Sequence, residues 1–128
     1  RVLFHGIRVK PGMPTMLSVV EDIPVLSLSG NPFAVAALFE LLAGGYLADR
    51  AEEVYTQKKE TKVLRQTFVK TGKPKRIVKG KCDEEGVFLP QIQRNGQLKN
   101  GIGSNCLVVF PEGERTYPEG EKVQVIRI

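Results

Sequence analysis

Residues 28–32, LSGNP, combine residue types whose spacing could bind an anion. Asn31 is a favoured N-cap, since its side-chain oxygen can accept a first-turn N–H, and Pro32 suits the first helical position. A helix that begins here points unpaired N–H groups and the positive end of its dipole outward, as an anion requires. One glycine is not a dinucleotide fingerprint, which needs two more. The turn therefore leaves two interpretations open: a capped helix without a ligand, or an anion site that includes Ser29, Gly30, Asn31 and Pro32.

A second set of candidate residues follows the first apolar run of the chain. Lys10-Pro11-Gly12 is a turn signal directly after Val2–Val9, which we expect to be a strand. Lys10 would then stand at the carboxyl end of a strand, beside the turn that precedes the helix. We expect Lys10 and Gly12 to face the same anion as residues 29–32.

The elements that must position these residues are predicted as β-β-β-α. The helix should carry an apolar face at i, i+3/i+4 and i+7 spacing and end around Gly44-Gly45, and residues 46–53 should be a last helical turn or a linker. Strand, glycine turn and helix in this order indicate half of a βαβ unit. The predicted strands are Val2–Val9, Thr15–Val20 and Val25–Leu28.

From Val54 the apolar period changes from 3.6 to 2, which is typical of strands. A polar, glycine-rich segment at residues 93–104 should be a mobile loop. Short strands at this spacing favour a small β-barrel or sandwich. The strands predicted here are Thr61–Lys70, Arg76–Cys82, Val87–Ile92, Asn105–Phe110 and Lys122–Ile128.

Composition bounds the class of protein. The 128 residues are 41% hydrophobic and 26% charged, as in an ordinary globular protein, and no run approaches the ~20 apolar residues that span a bilayer. The start of the chain does not have the features of a signal peptide. His5 is the single histidine, which argues against a histidine-based zinc site or a serine triad. Cys82 and Cys106 indicate buried thiols in a reducing cytoplasm, with one disulfide as the open alternative.

Charge is unevenly distributed within a formal total of +5, because residues 1–53 are acidic and residues 54–128 are basic. The segment 70–81 is a predicted basic hairpin that could follow a nucleic-acid backbone, with Tyr55, Phe68 or Phe88 as stacking platforms. A charged hairpin also keeps a strand edge soluble, and we favour that interpretation.

Three motifs in this order resemble the C-terminal part of molybdopterin molybdenumtransferases, the molybdenum-insertion enzymes related to the gephyrin E-domain. They are VKPGMP at residues 9–14, LSGNP at residues 28–32, and the ending PEG…EGEKVQVIRI. The resemblance implies an α+β fold: residues 1–50 are the C-terminal portion of an α/β, nucleotide-binding-like molybdopterin domain, and residues 54–128 are a small all-β, barrel-like domain. It also implies that the acidic metal-binding residues lie upstream, so this chain would be a fragment and inactive by itself.

The family reaction inserts molybdate into adenylylated molybdopterin and releases AMP with Mg²⁺. The resemblance implies that full-length protein is a cytoplasmic homodimer. It implies no catalytic residue and no metal ligand in this fragment, with substrate or anion contacts from Lys10, Gly12, Ser29, Gly30, Asn31, Pro32, Asn95 and Ser104. Whether molybdenum or tungsten is the metal stays open.

The chain departs from the family pattern at four places. Met13 stands where the family often has Lys, Ser29 where it usually has Pro, Lys79 where it has Arg, and Asn95-Gly96 where it has Ser-Gly. Lysine at position 79 keeps the charge but loses the bidentate geometry of arginine. Two other functions stay as alternatives: a small basic β-barrel module that binds nucleic acid, which we do not expect, and a structural or dimerisation unit.

Overall fold

The structure is a computed structural model that describes residues 1–52, 54, 56–90 and 103–128. It is mostly β, with one helical segment between two sets of strands. The helical segment comprises α1 (Pro32–Leu38), a π-helical turn (Phe39–Ala43) and α2 (Gly44–Arg50). The strands of the described residues are β1 (Val2–His5), β2 (Val9–Lys10), β3 (Met16–Val20), β4 (Ile23–Ser27), β5 (Lys59–Val63), β6 (Phe68–Lys70), β7 (Lys75–Cys82), β8 (Val87–Phe88), β9 (Cys106–Phe110), β10 (Arg115–Tyr117) and β11 (Lys122–Arg127).

These strands form three sheets. An antiparallel sheet has the order β1-β3-β4, and a two-stranded sheet pairs β10 with β6. The main sheet has the order β2-β7-β9-β11-β5, with β8 paired to β7. Strand β2 joins this sheet in parallel to β7, with Lys10 opposite Arg76. The turn that carries Lys10 therefore starts from an edge of the main sheet.

The alternation of side chains along the central strands separates two cores. On one face Val78, Val108 and Val125 belong to the larger cluster, which also holds Phe110 and Tyr117. The intervening side chains point the other way, toward the helix. There Ile77, Leu107 and Ile126 pack with Ala37 and Leu38 of α1. The sheet thus buries both faces, and the helix start is fixed relative to β7.

Two predictions for the first part of the chain are wrong. Val2–Val9 is not one strand, because Gly6 has φ +89° and separates β1 from β2. Strand β4 lies in an all-antiparallel sheet, so the described residues do not form the predicted half of a βαβ unit. The strand predicted at Thr15–Val20 is present as β3.

The helix continues past the glycine pair that was expected to end it. Gly44 has φ −54° and ψ −48°, which are helical values, and the helix ends at Arg50. Of the two alternatives for residues 46–53, the helical one is therefore confirmed through residue 50. The run Pro32–Arg50 is long and apolar enough to cross a membrane by length and composition alone, so the expectation that no run approaches this length is wrong. Three of its residues, Ala34, Ala37 and Leu38, are buried, and most of the remaining helix is exposed.

The second part of the chain also differs from the prediction. The segment Thr61–Lys70 contains two strands, β5 and β6, which pair with different partners. Strand β10 was not predicted at all. Of the predicted strand Val87–Ile92, only Val87–Phe88 is a strand, and residues 91 and 92 lie outside the described residues, as do residues 93–102 of the predicted loop. The main sheet extends from one edge strand, β2, to another, β5, so the described strands show no closed barrel.

Candidate functional site

The helix start is built as the sequence predicts. Asn31 has extended backbone angles, φ −75° and ψ 117°, and Pro32 is the first helical residue. The Asn31 Oδ1 atom accepts hydrogen bonds from the N–H of Phe33 at 3.0 Å and of Ala34 at 3.2 Å. The Asn31 N–H in turn donates to Ser29 Oγ at 3.4 Å. The predicted N-cap is confirmed.

This cap limits what the turn can offer to an anion. Because Asn31 Oδ1 already accepts the N–H groups of Phe33 and Ala34, those groups are not directed at a ligand. The Ser29 hydroxyl accepts from Asn31 and still has its own O–H to donate. Gly30 is exposed, and a Cβ built on it would meet no atom within 4 Å. The donors of the turn that are left for a ligand are therefore at residues 29 and 30, beside the positive end of the helix dipole.

A buried lysine lies at the same end of the helix. The Lys79 Nζ atom is 4.6 Å from the centroid of the Phe33 ring, a cation–π distance. Only 8% of Lys79 is exposed, and this burial lowers the pKa of its ammonium group. Phe33 is two residues after the cap, so a cation of the main sheet stands next to the helix start. The sequence signal was present: Lys79 shares the inward-facing parity of Ile77 on β7.

Gly12 fixes the turn that follows β2 against the helix. Its φ is +113°, and a Cβ at this position would lie 2.2 Å from Leu38 Cδ1. The Thr15 hydroxyl, which is fully buried, donates to the Gly12 carbonyl oxygen at 2.7 Å. Leu38 is seven residues after Asn31, or ~10 Å along a helix. Gly12 is therefore a packing position two turns from the cap.

The position of Lys10 follows from these contacts. Its backbone pairs with Arg76 at the sheet edge, and its side chain is exposed. Among the described residues, no hydrogen bond or ion pair joins Lys10 to Ser29, Gly30 or Asn31. Its convergence with the cap on one anion stays a prediction.

Of two further predicted contacts, one lies outside the described residues and the other has no hydrogen bond to the cap. Asn95 lies outside the described residues. Ser104 is half-buried and directly precedes Asn105, whose side chain bonds the backbone of Cys82. No hydrogen bond between described residues brings Ser104 to the helix cap.

The predicted basic hairpin is less basic on its surface than in its sequence. Lys70 is 2% exposed, and its Nζ atom donates to the carbonyl oxygens of Gly72 at 2.7 Å and Gly113 at 2.6 Å. Lys79 is buried as well. Phe68 is stacked on the core residue Phe110, with 4.4 Å between ring centroids. One cation, Lys70, and one proposed stacking platform, Phe68, are thereby used inside the fold, which weakens the nucleic-acid interpretation.

Among the described residues, the potential metal ligands do not gather at one place. In residues 1–52, 54, 56–90 and 103–128, no group of three or more His, Cys, Asp or Glu side chains could hold a metal ion. His5 lies on β1, and its backbone pairs with Met16. The groups that the described residues present around the helix start are hydroxyl, backbone amide and ammonium donors.

Comparison with known proteins identifies the relatives. The family model of the MoeA C-terminal region (domain IV) matches residues 63–128, just over half of the chain. A Methanocaldococcus jannaschii protein named for molybdopterin biosynthesis is 32% identical over 124 residues, covering 97% of this chain and 29% of the relative. The molybdopterin molybdenumtransferase of Staphylococcus aureus is 28% identical over 131 residues, covering 98% of this chain and 31% of the relative.

Solved structures agree with the sequence relatives. The crystal structure of a molybdopterin biosynthesis moeA protein from Pyrococcus horikoshii OT3 matches with TM-score 0.83 and 25% identity, over 100% of this chain and 33% of that one. A molybdenum cofactor biosynthesis protein from Pyrococcus furiosus matches with TM-score 0.81 and 26% identity, over 100% of this chain and 46% of that one. The chain thus spans under a third of the length of the curated relatives it matches. The resemblance seen in the motifs is confirmed: this chain belongs to the family of the MoeA C-terminal region and, through it, to molybdenum cofactor biosynthesis.

Proposed function

We propose that this chain is part of an enzyme that inserts molybdate into adenylylated molybdopterin with release of AMP. Relatives named molybdopterin molybdenumtransferase, matched along 98% of this chain, support the reaction class. Because the chain spans only 31% of that relative, we expect it to have no transferase activity alone. We further propose that the full-length protein is a homodimer that works in the cytoplasm.

The observation that carries this proposal is the meeting of the helix start with a buried cation. Lys79 lies 4.6 Å from the ring of Phe33, two residues after the cap at Asn31. A positive charge and the positive end of a helix dipole therefore act on the same small region, and both favour an anion. A phosphate or molybdate oxyanion has the charge and the acceptor atoms for such a place.

Each predicted contact has a separate part in this site. Ser29 would donate its hydroxyl to an oxyanion, and Gly30 would offer an open backbone with no side chain to exclude the ligand. Asn31 and Pro32 would set the direction of the helix, and Gly12 would hold the neighbouring turn against it. We assign no step to Ser104, which has no hydrogen bond to the cap among the described residues, or to Asn95, which lies outside them.

Lys10 is the residue on which this assignment depends most. It lies exposed at the sheet edge, so its long side chain is available to reach an anion that also contacts the turn. A lysine ammonium group acts as a mobile point charge rather than as a rigid fork.

Mg²⁺ would enter with the phosphate groups. The described residues do not present a group of three neighbouring carboxylate, thiol or imidazole ligands. We expect the protein ligands of Mg²⁺ in the portion of the relatives that this chain does not match. None of the contacts assigned to the lysines or to the turn depends on the ion.

The test uses the full-length protein, purified and incubated with adenylylated molybdopterin, molybdate and Mg²⁺, with AMP release as the readout. Lys10→Ala and Lys79→Met should each slow AMP release at least about tenfold, since removing one donor to a developing or bound oxyanion commonly costs this much or more. Lys58→Ala is the matched control for Lys10→Ala. Lys58 is also an exposed lysine, but it directly precedes β5, the edge strand at the opposite end of the main sheet from β2.

The outcomes separate the alternatives. Normal AMP release by both variants would reject the anion site. AMP release by the 128-residue chain at the full-length rate would reject the proposal that this chain is inactive without the rest of the enzyme. If no nucleotide or molybdopterin binds and only self-association is found, a structural or dimerisation unit becomes the better interpretation. Salt-dependent binding to a mixed oligonucleotide would instead favour the nucleic-acid module.

A further inference from the structure

Two cysteines approach each other in the larger core. Cys82 ends β7 and Cys106 begins the neighbouring strand β9. Both are free thiols and both are buried, with 4% and 0% of their surface exposed. Their Sγ atoms are 2.7 Å apart. A covalent S–S bond is about 2.05 Å, so less than one ångström of movement would join them.

The backbone around the pair is held from both sides. The Cys82 N–H donates to Asn105 Oδ1 at 2.7 Å, and Asn105 Nδ2 donates back to the Cys82 carbonyl oxygen at 2.9 Å. The Asn105 N–H also donates to the carbonyl oxygen of Gly80 at 3.1 Å. Because Asn105 directly precedes Cys106, these three bonds fix the two cysteine backbones relative to each other.

The surroundings leave room for the two sulfurs and little else. A Cβ on Gly80 would lie 3.1 Å from Cys106 Sγ and 2.9 Å from Val87 Cγ2, so a side chain there would press on the pair. Val108 lines the same space. Burial raises the pKa of the Cys106 thiol, and the side chain of Cys82 is the next contributor. The Sγ–Sγ distance of 2.7 Å within this closed space places the two thiols where they can bond to each other.

We propose that Cys82 and Cys106 are a modification site at which, under oxidising conditions, an intramolecular disulfide links β7 to β9. This inference does not depend on the proposed function, because it rests on the core of the sheet and not on the helix cap. With a small disulfide such as oxidised glutathione, one cysteine thiolate attacks and expels one glutathione thiol, and the second cysteine then displaces the other. The two protein thiols lose two protons and two electrons, and the oxidant becomes two glutathione thiols.

The raised pKa of Cys106 has a consequence for how the bond forms. The attacking species is the thiolate, so exchange in the closed core should be slow. We expect the disulfide to form while the chain folds, or after transient opening of the strand pair. The bond then closes the chain between residues 82 and 106, a loop whose restriction disfavours the unfolded state.

The experiment is a peptide map of the full-length protein after unfolding and refolding with oxidised and reduced glutathione. Free thiols are blocked with N-ethylmaleimide, and trypsin is added without reductant. Trypsin cuts after Lys81, Arg94, Lys99 and Arg115, which yields the peptides 82–94 and 100–115 with one cysteine each. We expect these two peptides joined, at about 2 Da below the sum of their masses, and separated by reductant. The oxidised protein should also melt about 5–10 °C above the reduced one.

Cys82→Ser is the matched control, since it keeps the size of the side chain and removes one sulfur. Its map should lack the joined peptides, and its melting temperature should not change with reductant. The wild-type map does not depend on how well this variant folds. Two blocked peptides after refolding in oxidant, single glutathione adducts without the joined pair, or an oxidised form that melts below the reduced form would each overturn the proposal.

Discussion

Gly12→Ala should be severely destabilising, because two separate costs meet at this residue. The backbone has φ +113°, where an L-residue is strained by about 1–3 kcal/mol. The new Cβ would lie 2.2 Å from Leu38 Cδ1, and Leu38 is only 1% exposed, so it cannot move into solvent. Overpacking of such a core costs about 1–3 kcal/mol. The free energy of unfolding should therefore fall by roughly 2–6 kcal/mol.

The two costs can be measured separately. Gly113→Ala is the matched control, because Gly113 has φ +102° and a Cβ on it would meet nothing within 4 Å. It should lose only the backbone part, about 1–3 kcal/mol. Urea denaturation, followed by circular dichroism, gives the free energy of unfolding for each variant. The difference between the two variants is then the contribution of Leu38.

A double-mutant cycle tests the contact itself. Leu38→Ala alone should cost about 2–5 kcal/mol, because it leaves a cavity beneath the helix. When Gly12→Ala is combined with it, the methyl group added at position 12 enters that cavity, so the two losses should fall short of their sum by about 1–3 kcal/mol. Losses that add within about 0.5 kcal/mol would refute the claim that Gly12 is required by its approach to the helix.

Three further predictions follow from local contacts. Asn31→Ala should lower the free energy of unfolding by about 1 kcal/mol and Asn31→Asp should not, as measured in urea; equal losses would contradict the cap. Burial raises the pKa of the Cys106 thiol in the folded state, so under reductant the free energy of unfolding should fall by up to about 1.4 kcal/mol per pH unit above the ordinary cysteine pKa. Cys106→Ala should show a shallower fall between about pH 8 and 10. Identical slopes in the two proteins would disprove the role of Cys106. The hydrogen bond from Arg127 lowers the pKa of Glu60 in the folded state. The stabilisation from this pair should therefore be present above pH 4.5, the ordinary pKa of the group, and be lost as the pH falls through the lower pKa of the folded state. Glu60→Gln should remove this contribution to the difference between melting curves at about pH 7 and pH 3.

Local interactions are the part of this fold that its sequence predicts well. The cap at Asn31 and Pro32 depends on hydrogen bonds within three residues, so its chemistry is visible in the sequence. Strands β7, β9 and β11 were predicted because their alternation matches two buried faces. The family membership was also predicted, from motifs whose order along the chain is as informative as their residues.

Features that depend on distant residues were missed. Gly6 looked like a member of a strand, and only its φ of +89° shows that it separates two strands that enter different sheets. Gly44 looked like a helix end but keeps helical angles. Lys70 counted as a surface cation, yet its Nζ atom is used by the carbonyl oxygens of two separate turns. For Lys70, one of the two deciding partners, Gly113, lies 43 residues further along the chain.

Lys79 shows why the candidate site could not be predicted from either part of the chain alone. Its inward position on β7 follows from the strand, and the direction of α1 follows from the cap at Asn31. Their contact exists because Ala37, Leu38 and Ile77 pack the helix onto the sheet, which brings Phe33 over the ammonium group. The charge at the helix start therefore depends on the packing beneath it. A variant that loosens this packing, such as Leu38→Ala, should weaken anion binding without changing any residue that touches the anion.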